Sequence, residues 1–241
     1  TQICMLATEA AIYMALEQNG YQPDVTAGLS LGEYGALIAS GVMTAEEAFE
    51  LVRKRGIFMQ EAVPAGGAMA AVLGLDAAAI EQICRETAEQ TGSEVSIANY
   101  NCPGQIVISG KKECVQEAME VLKEAGARRT LLLNVSGPFH SKLLKGAGDK
   151  LMMDLEKVTF DKVKYPYVAN CTAEYVDENT SSGYIKELLS KQVYSSVRFE
   201  QSVRKMIADG YDTFVEVGPG KTLSGFVKKI AKSMEKEVVI K

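Results

Sequence analysis

Residues 24–40 read Asp24-Val25-Thr26-Ala27-Gly28-Leu29-Ser30-Leu31-Gly32-Glu33-Tyr34-Gly35-Ala36-Leu37-Ile38-Ala39-Ser40. Asp24 to Ala27 is a short strand candidate. The stretch after Gly32 is a helix closed by Gly41. Gly28-x-Ser30-x-Gly32 at such a junction is the pattern of a nucleophile elbow. The serine stands in a strained turn, so its neighbours two residues away are expected to lack a Cβ. The turn lifts Oγ clear of a sheet and sets it at a helix N-terminus. There the free N–H groups, that of Leu31 first, can stabilise an oxyanion. The pattern alone recurs in Gly-rich loops; the flanking strand and helix carry the reading.

Working outward, residues 2–18 are helix-like and Asn19-Gly20 stops them. Thr44-Ala45-Glu46-Glu47 is a capping box that opens a helix reaching about Ala62. Pro64-Ala65-Gly66-Gly67 then breaks the chain. Residues 68–74 read as strand, 77–90 as helix, 94–100 and 104–109 as strands, 111–125 as helix and 129–135 as strand. That βαββαβ order is ferredoxin-like. Beyond it α and β alternate again: helix 142–156, strand 165–170, helices 182–192 and 199–208, strand 213–217 and helix 221–234. The expected fold is α/β: an α/β-hydrolase-like parallel-sheet domain of residues 1–65 and 136–241, with a ferredoxin-like subdomain of residues 66–135 inserted.

The chain has 241 residues, 47% of them hydrophobic, enough for one substantial core or two modest ones. Its formal net charge is -5. A duplex-binding surface normally needs a basic excess, so nucleic acid is not an expected partner. An anionic small substrate stays open, because a local cation can do what net charge does not. The five cysteines (Cys4, Cys84, Cys102, Cys114 and Cys171) include no C-x-x-C pair. Neither a disulfide framework nor a zinc site is indicated, which fits a reducing cytoplasm. No apolar run reaches transmembrane length. The chain starts at Thr1 and enters a helical pattern at once, so it is read as lacking its natural N-terminus, and an upstream targeting segment stays open.

Two further residues stand out. In the capped helix, Leu51, Arg55, Phe58 and Ala62 form a line beside the apolar face, so Arg55 is a cation among apolar side chains. No acidic residue stands three or four positions away to pair with it. It either snorkels to solvent or presents a guanidinium fork to a carboxylate from outside the chain. His140, in Gly137-Pro138-Phe139-His140-Ser141, is the only histidine. A serine nucleophile needs a base titrating near neutrality, and a single candidate for that role outweighs the structural reading of a loop histidine. Gly218-Pro219-Gly220-Lys221-Thr222 imitates a phosphate loop, but Val215 stands where the first glycine belongs. Leu223 likewise breaks a dinucleotide loop.

These blocks, with Arg55-Gly56-x-Phe58-Met59-Gln60-Glu61-Ala62-Val63-Pro64, Asn101-x-Pro103-Gly104-Gln105 and Glu216-Val217-Gly218-Pro219-Gly220-Lys221, resemble bacterial malonyl-CoA:acyl-carrier-protein transacylases, in order along the entire chain. The resemblance implies Ser30 as acylated nucleophile, His140 as general base and Arg55 as holder of the malonyl carboxylate. It implies the Leu31 N–H as half of the oxyanion hole. It implies the main-chain carbonyl of Gln192 as the group orienting the histidine. Phe139 and Leu31 resemble the malonyl-type choices beside base and nucleophile. It further implies no cofactor, malonyl-CoA and phosphopantetheinylated acyl carrier protein as substrates, a cytoplasmic monomer, and an acidic carrier for which Lys228-Lys229 and Arg128-Arg129 are candidate docking cations. Leu29 departs from the family's usual histidine. No residue matches the family's Gly-Gln-Gly loop, which supplies the second oxyanion donor, so roughly a quarter of the family's length is read as lying upstream. Two alternatives remain: an α/β-hydrolase-type thioesterase, and an inactive carrier-binding fragment.

Overall fold

The computed structural model describes residues 2–63, 66–135 and 137–241. In chain order, helix α1 (Gln2–Gln18) leads into strand β1 (Thr26–Ala27), which runs through the elbow into α2 (Gly32–Ala39). Helix α3 (Ala45–Ala62) follows, and its capping box is present: the Thr44 side chain accepts from the Glu47 N–H and the Glu47 carboxylate accepts from the Thr44 N–H. Such a cap is worth about 1 kcal/mol and fixes where α3 starts.

The next elements are β2 (Gly67–Leu73), α4 (Ala77–Thr91), β3 (Val95–Cys102), β4 (Gln105–Lys111), α5 (Lys112–Glu124) and β5 (Arg129–Leu132). They form one antiparallel sheet in the order β3-β4-β2-β5. That is the ferredoxin-like arrangement expected from the βαββαβ order. Cys114, Val115, Ala118 and Leu122 of α5 and Ile80 and Cys84 of α4 pack on Ala70, Val72, Ile106 and Ile108. The other face of the sheet presents Met69, Ala98 and Val107, and Phe139 packs against them. The sheet therefore seats the loop that carries His140. The strand expected over 129–135 ends at Leu132, with one further main-chain bond from the Leu133 N–H to Met69 O at 2.8 Å. Pro64, Ala65 and Ser136 lie outside the described residues, and with them the two expected domain boundaries.

A short 3-10 turn (Lys142–Leu144) opens α6 (Lys145–Leu155). Then come β6 (Tyr167–Val168), β7 (Tyr175–Val176), α7 (Ser182–Gln192), α8 (Phe199–Ala208), β8 (Thr213–Phe214), α9 (Thr222–Ser233) and β9 (Val239–Ile240). Parallel pairing joins β1 to β6 and β8 to β9, while β7 adds an antiparallel pair. The strands expected over 165–170 and 213–217 are thus shorter. Chain leaves these ladders where side chains take over: Asn170 turns into the elbow, and Glu216 turns to α9. The Glu216 carboxylate accepts from the N–H groups of Leu223 (3.0 Å) and Ser224 (2.8 Å). An acidic group thus occupies the helix N-terminus that a phosphate loop would leave for an anion.

One core gathers α2, α3, α6 and α7 around Tyr34, Leu37, Leu51, Leu144, Leu151 and Leu189. Another gathers α8 and α9 around Phe199, Phe226 and Ile230, and it includes Cys102 from β3. Main-chain bonds reinforce that junction: Tyr100 N–H donates to Val197 O at 2.9 Å and Val197 N–H to Ala98 O at 2.8 Å. The ferredoxin-like unit is therefore fastened to the rest by burial and by hydrogen bonds.

Candidate active site

Ser30 sits at φ +55, the left-handed region that non-glycine residues seldom adopt. A Cβ on Gly28 would lie 2.0 Å from the carbonyl carbon and oxygen of Gly32, so only glycine fits there. A Cβ on Gly32 would meet nothing within 4 Å. The expectation that both glycines are sterically required is corrected: the turn folds back on its first glycine, and its second faces open space.

The strain at Ser30, of order 1–3 kcal/mol, has to be over-determined by its surroundings. Asn170, at the end of β6, does this. Its Oδ1 accepts from the Ser30 N–H and its Nδ2 donates to Gly28 O, both at 2.6 Å. One amide thereby staples both sides of the turn. Asn170 itself is held through its carbonyl by the Arg198 N–H (2.8 Å) and through its N–H by Glu33 Oε1 (3.2 Å).

His140 is buried, also in the left-handed region at φ +59. Its Nε2 lies 2.8 Å from Ser30 Oγ, and its Nδ1 lies 2.8 Å from the main-chain carbonyl of Gln192. A carbonyl only accepts, so Nδ1 carries the proton and Nε2 is free to accept from the serine hydroxyl. Burial, and then the Arg55 charge, push the imidazole down from 6.5 to about 4, against the opposing pull of the carbonyls it donates to. The ring is therefore a neutral base at neutral pH.

Arg55 does not snorkel: it is 1% exposed. Its Nη2 donates to Ser30 Oγ (3.0 Å) and to Gln192 Oε1 (2.9 Å), and its Nη1 donates to Gln2 Oε1 (2.8 Å). The guanidinium lies over the Tyr34 ring, 5.7 Å from its centroid. Among the described residues it makes no salt bridge, and Nε has no partner. Among these residues the buried cation is thus touched directly only by neutral oxygens and a ring, and its fork has no acid in contact.

Gln192, fully buried at the end of α7, touches every member of the constellation. Besides its carbonyl on His140 and Oε1 on Arg55, its Nε2 donates to Ser30 O (2.8 Å) and to Glu33 Oε2 (2.7 Å). Among the described residues the Leu31 N–H has no hydrogen-bond partner, as suits a donor kept for an oxyanion. Phe139 packs between the core of α2 and α3 and the face of the inserted sheet. Leu29 is half-buried against the core of α8 and α9, away from any chemistry.

Ser30, His140, Arg55 and Gln192, read from the sequence or the resemblance, thus come together. Gln2, Glu33 and Asn170 were not anticipated. Glu33 stands next to the motif, which gives it no role, and nothing local marks Gln2 or Asn170.

The arrangement fits what known proteins show. The family described as "Acyl transferase domain" matches residues 1–240. The malonyl CoA-acyl carrier protein transacylase of Bacillus subtilis is 48% identical over 235 residues, covering 97% of this chain and 73% of the relative. That of Escherichia coli is 45% identical over 236 residues, covering 97% and 75%. Among solved structures, an acyl carrier protein S-malonyltransferase from Vibrio cholerae superposes with a TM-score of 0.93 at 43% identity, over 100% of this chain and 77% of that one. A malonyl-transacylase solved in complex with a type II PKS acyl-carrier protein has the same score at 39% identity, covering 100% and 76%. With its matched profile and these relatives at nearly half identity, the chain belongs to the acyl transferase family, in its malonyl CoA-acyl carrier protein transacylase branch.

Proposed function

We propose that this chain transfers malonyl from malonyl-CoA to the pantetheine thiol of acyl carrier protein through a malonyl ester on Ser30. The observation that carries this reading is the 3.0 Å between Arg55 Nη2 and Ser30 Oγ. A carboxylate held by Arg55 is then only a few ångströms from the nucleophile. An acyl group whose acid end lies one methylene beyond the thioester carbonyl fits that spacing; a longer diacid does not. The carboxylate would take Nη1 and Nη2 from their present neutral partners, an exchange favoured because ionised hydrogen bonds are roughly twice as strong as neutral ones.

His140 Nε2 takes the Ser30 hydroxyl proton as Oγ attacks the thioester carbonyl. The oxyanion lies at the Leu31 N–H. The C–S bond breaks, and His140 returns the proton to the departing thiolate. The carrier's thiol next gives its proton to His140 and attacks the ester. Oγ leaves and recovers the proton. The residues supply this chemistry themselves, and the proposal requires no cofactor.

A thioesterase is the weaker reading. Its triad acid would need His140 Nδ1, which the Gln192 carbonyl holds. It also leaves Arg55 without a purpose. An acidic carrier is supported by the exposed pairs Arg128-Arg129 and Lys228-Lys229. Lys229 Nζ reaches Gln105, whose strand partner Leu73 also pairs with Arg129, so the two pairs share one end of the sheet. A cytoplasmic setting is proposed on the free cysteines; among the described residues no helix is long and apolar enough to cross a membrane.

Peptide mass spectrometry after mixing with malonyl-CoA tests the proposal. The expected result is a malonyl adduct on the Ser30 peptide that passes to a thiol acceptor faster than to water. An adduct elsewhere, or none, refutes it, and passage chiefly to water favours the thioesterase. An unreactive protein that still binds carrier is the inactive fragment.

A further inference from the structure

Glu33 is 1% exposed, and the proposed reaction gives it nothing to do. Its two oxygens are separately engaged. Oε1 accepts from the Asn170 N–H at 3.2 Å, and Oε2 accepts from Gln192 Nε2 at 2.7 Å. Asn170 is the staple on the elbow. Gln192 is the residue that touches serine, histidine and arginine at once.

The side-chain amide of Gln192 has two ends of opposite polarity, and its surroundings admit only one orientation. As it stands, Nε2 donates one hydrogen to Ser30 O and the other to Glu33, which leaves Oε1 for the Arg55 guanidinium. Turned over, the amide oxygen would face a carboxylate and a carbonyl, and its N–H groups would face a cation. Ser30 O is a single neutral acceptor; the carboxylate is the stronger director of the two. Each Glu33 oxygen accepts, and among the described residues none of its hydrogen bonds has it donating a proton, so the arrangement is that of the carboxylate, the form Glu33 takes above about pH 7.

We propose that Glu33 is a positioning residue for malonyl selection: its carboxylate fixes the Gln192 amide so that Oε1 aims Arg55 at the acyl site, and the same carboxylate pins the Asn170 staple that shapes the nucleophile. This rests on the reaction proposed above. Arg55 and Ser30 would then be set by one buried group, so acyl recognition and nucleophile geometry are coupled. Arg55 needs such help because its apolar helix face offers no acid of its own.

The test compares wild type with Glu33→Gln, Gln192→Ala and the double variant at about pH 9, well above the range in which buried Glu33 titrates. Ser30 acylation is followed with malonyl-CoA and with acetyl-CoA, and rates are expressed per folded molecule. Glu33→Gln lowers both rates, since the staple loosens. It lowers the malonyl-to-acetyl ratio by about tenfold, the scale of one misdirected charge-assisted hydrogen bond. Gln192→Ala lowers the ratio similarly, and the double variant lowers it no further, because both changes act through one amide. A merely structural Glu33 would reduce the folded fraction and leave the ratio alone. Should Glu33→Gln not fold, Glu33→Asp, with the same oxygens on a shorter arm, gives an intermediate ratio. An unchanged ratio in an acylated protein, or a double variant whose loss is the product of the single losses, overturns the assignment. A wild type that forms no Ser30 ester overturns the reaction as well.

Discussion

Acid titration of the wild type against Glu33→Gln and His140→Asn reads out two buried groups that pull stability in opposite directions. The folded protein holds His140 at about 4 against 6.5 for the free side chain. It holds Glu33 at about 7 against 4.5, chiefly through burial and against the lowering effects of Gln192, Asn170 and Arg55. A depressed imidazole favours the fold above the unfolded value, and that contribution is lost as pH falls from 6.5 toward 4. A raised carboxyl favours the fold below its unfolded value, and that contribution is lost as pH rises from 4.5 through 7. At about 1.4 kcal/mol per pH unit, each displacement is worth about 3 kcal/mol, a large part of a typical folding free energy. The two windows nearly coincide, so in the wild type they offset each other. Glu33→Gln removes one side. Its stability relative to wild type rises by about 3 kcal/mol between about pH 4.5 and 7. His140→Asn shows the reverse, gaining on wild type as pH falls. Urea midpoints at fixed slope, measured across that range, give both differences, and contributions from distant carboxylates cancel between variant and wild type. The neighbours of Glu33 that titrate (Tyr34, Tyr167 and Cys171) are all pushed upward by burial, and Arg55 stays cationic, so none of them ionises within the window. A flat difference for Glu33→Gln would refute the reasoning, because it would mean the carboxyl titrates alike in folded and unfolded chains.

Arg55→Ala should cut Ser30 acylation by malonyl-CoA roughly a hundredfold, the scale of two charge-assisted hydrogen bonds, while acetyl-CoA is affected far less; equal losses for both donors would show that the arginine does not read the acid group. Asn170→Ala releases both sides of the elbow and should lower stability by about 2 kcal/mol together with the acylation rate, read by thermal melting and stopped flow; unaltered acylation would show that the turn holds itself. Gly28→Ala should fail to give soluble folded protein, while Gly32→Ala folds as the wild type does, because a Cβ meets backbone at the first site and open space at the second; two soluble variants would refute the steric account of the turn.

What could be read in the sequence divides along a physical line. Ser30, His140 and Arg55 were legible because each is chemically conspicuous where it stands: a serine between glycines, the only histidine, a cation beside an apolar stripe. The inserted βαββαβ unit was legible because its alternation is local, each strand lying next in sequence to the helix that covers it. The parallel pairs were harder, since β1 and β6 are brought together from opposite sides of that insert, and their length is decided by where Asn170 leaves the ladder. The carbonyl of Gln192 entered only through a family likeness, for any residue has a carbonyl. Its amide, with Glu33, Asn170 and Gln2, was hidden for one reason: a polar side chain takes its meaning from its partner, and these partners lie 53 to 162 residues apart in sequence. In a local reading each is an ordinary surface residue, an acid opening a helix or an amide closing one. Burial reverses that reading, since a hydrogen-bonding group taken out of water must be matched, and each match constrains the next. Gln192 shows how far the constraint reaches. The nucleophile's carbonyl, the base's ring and the arginine's fork all meet on one residue, so a shift at any of them is felt by the other two.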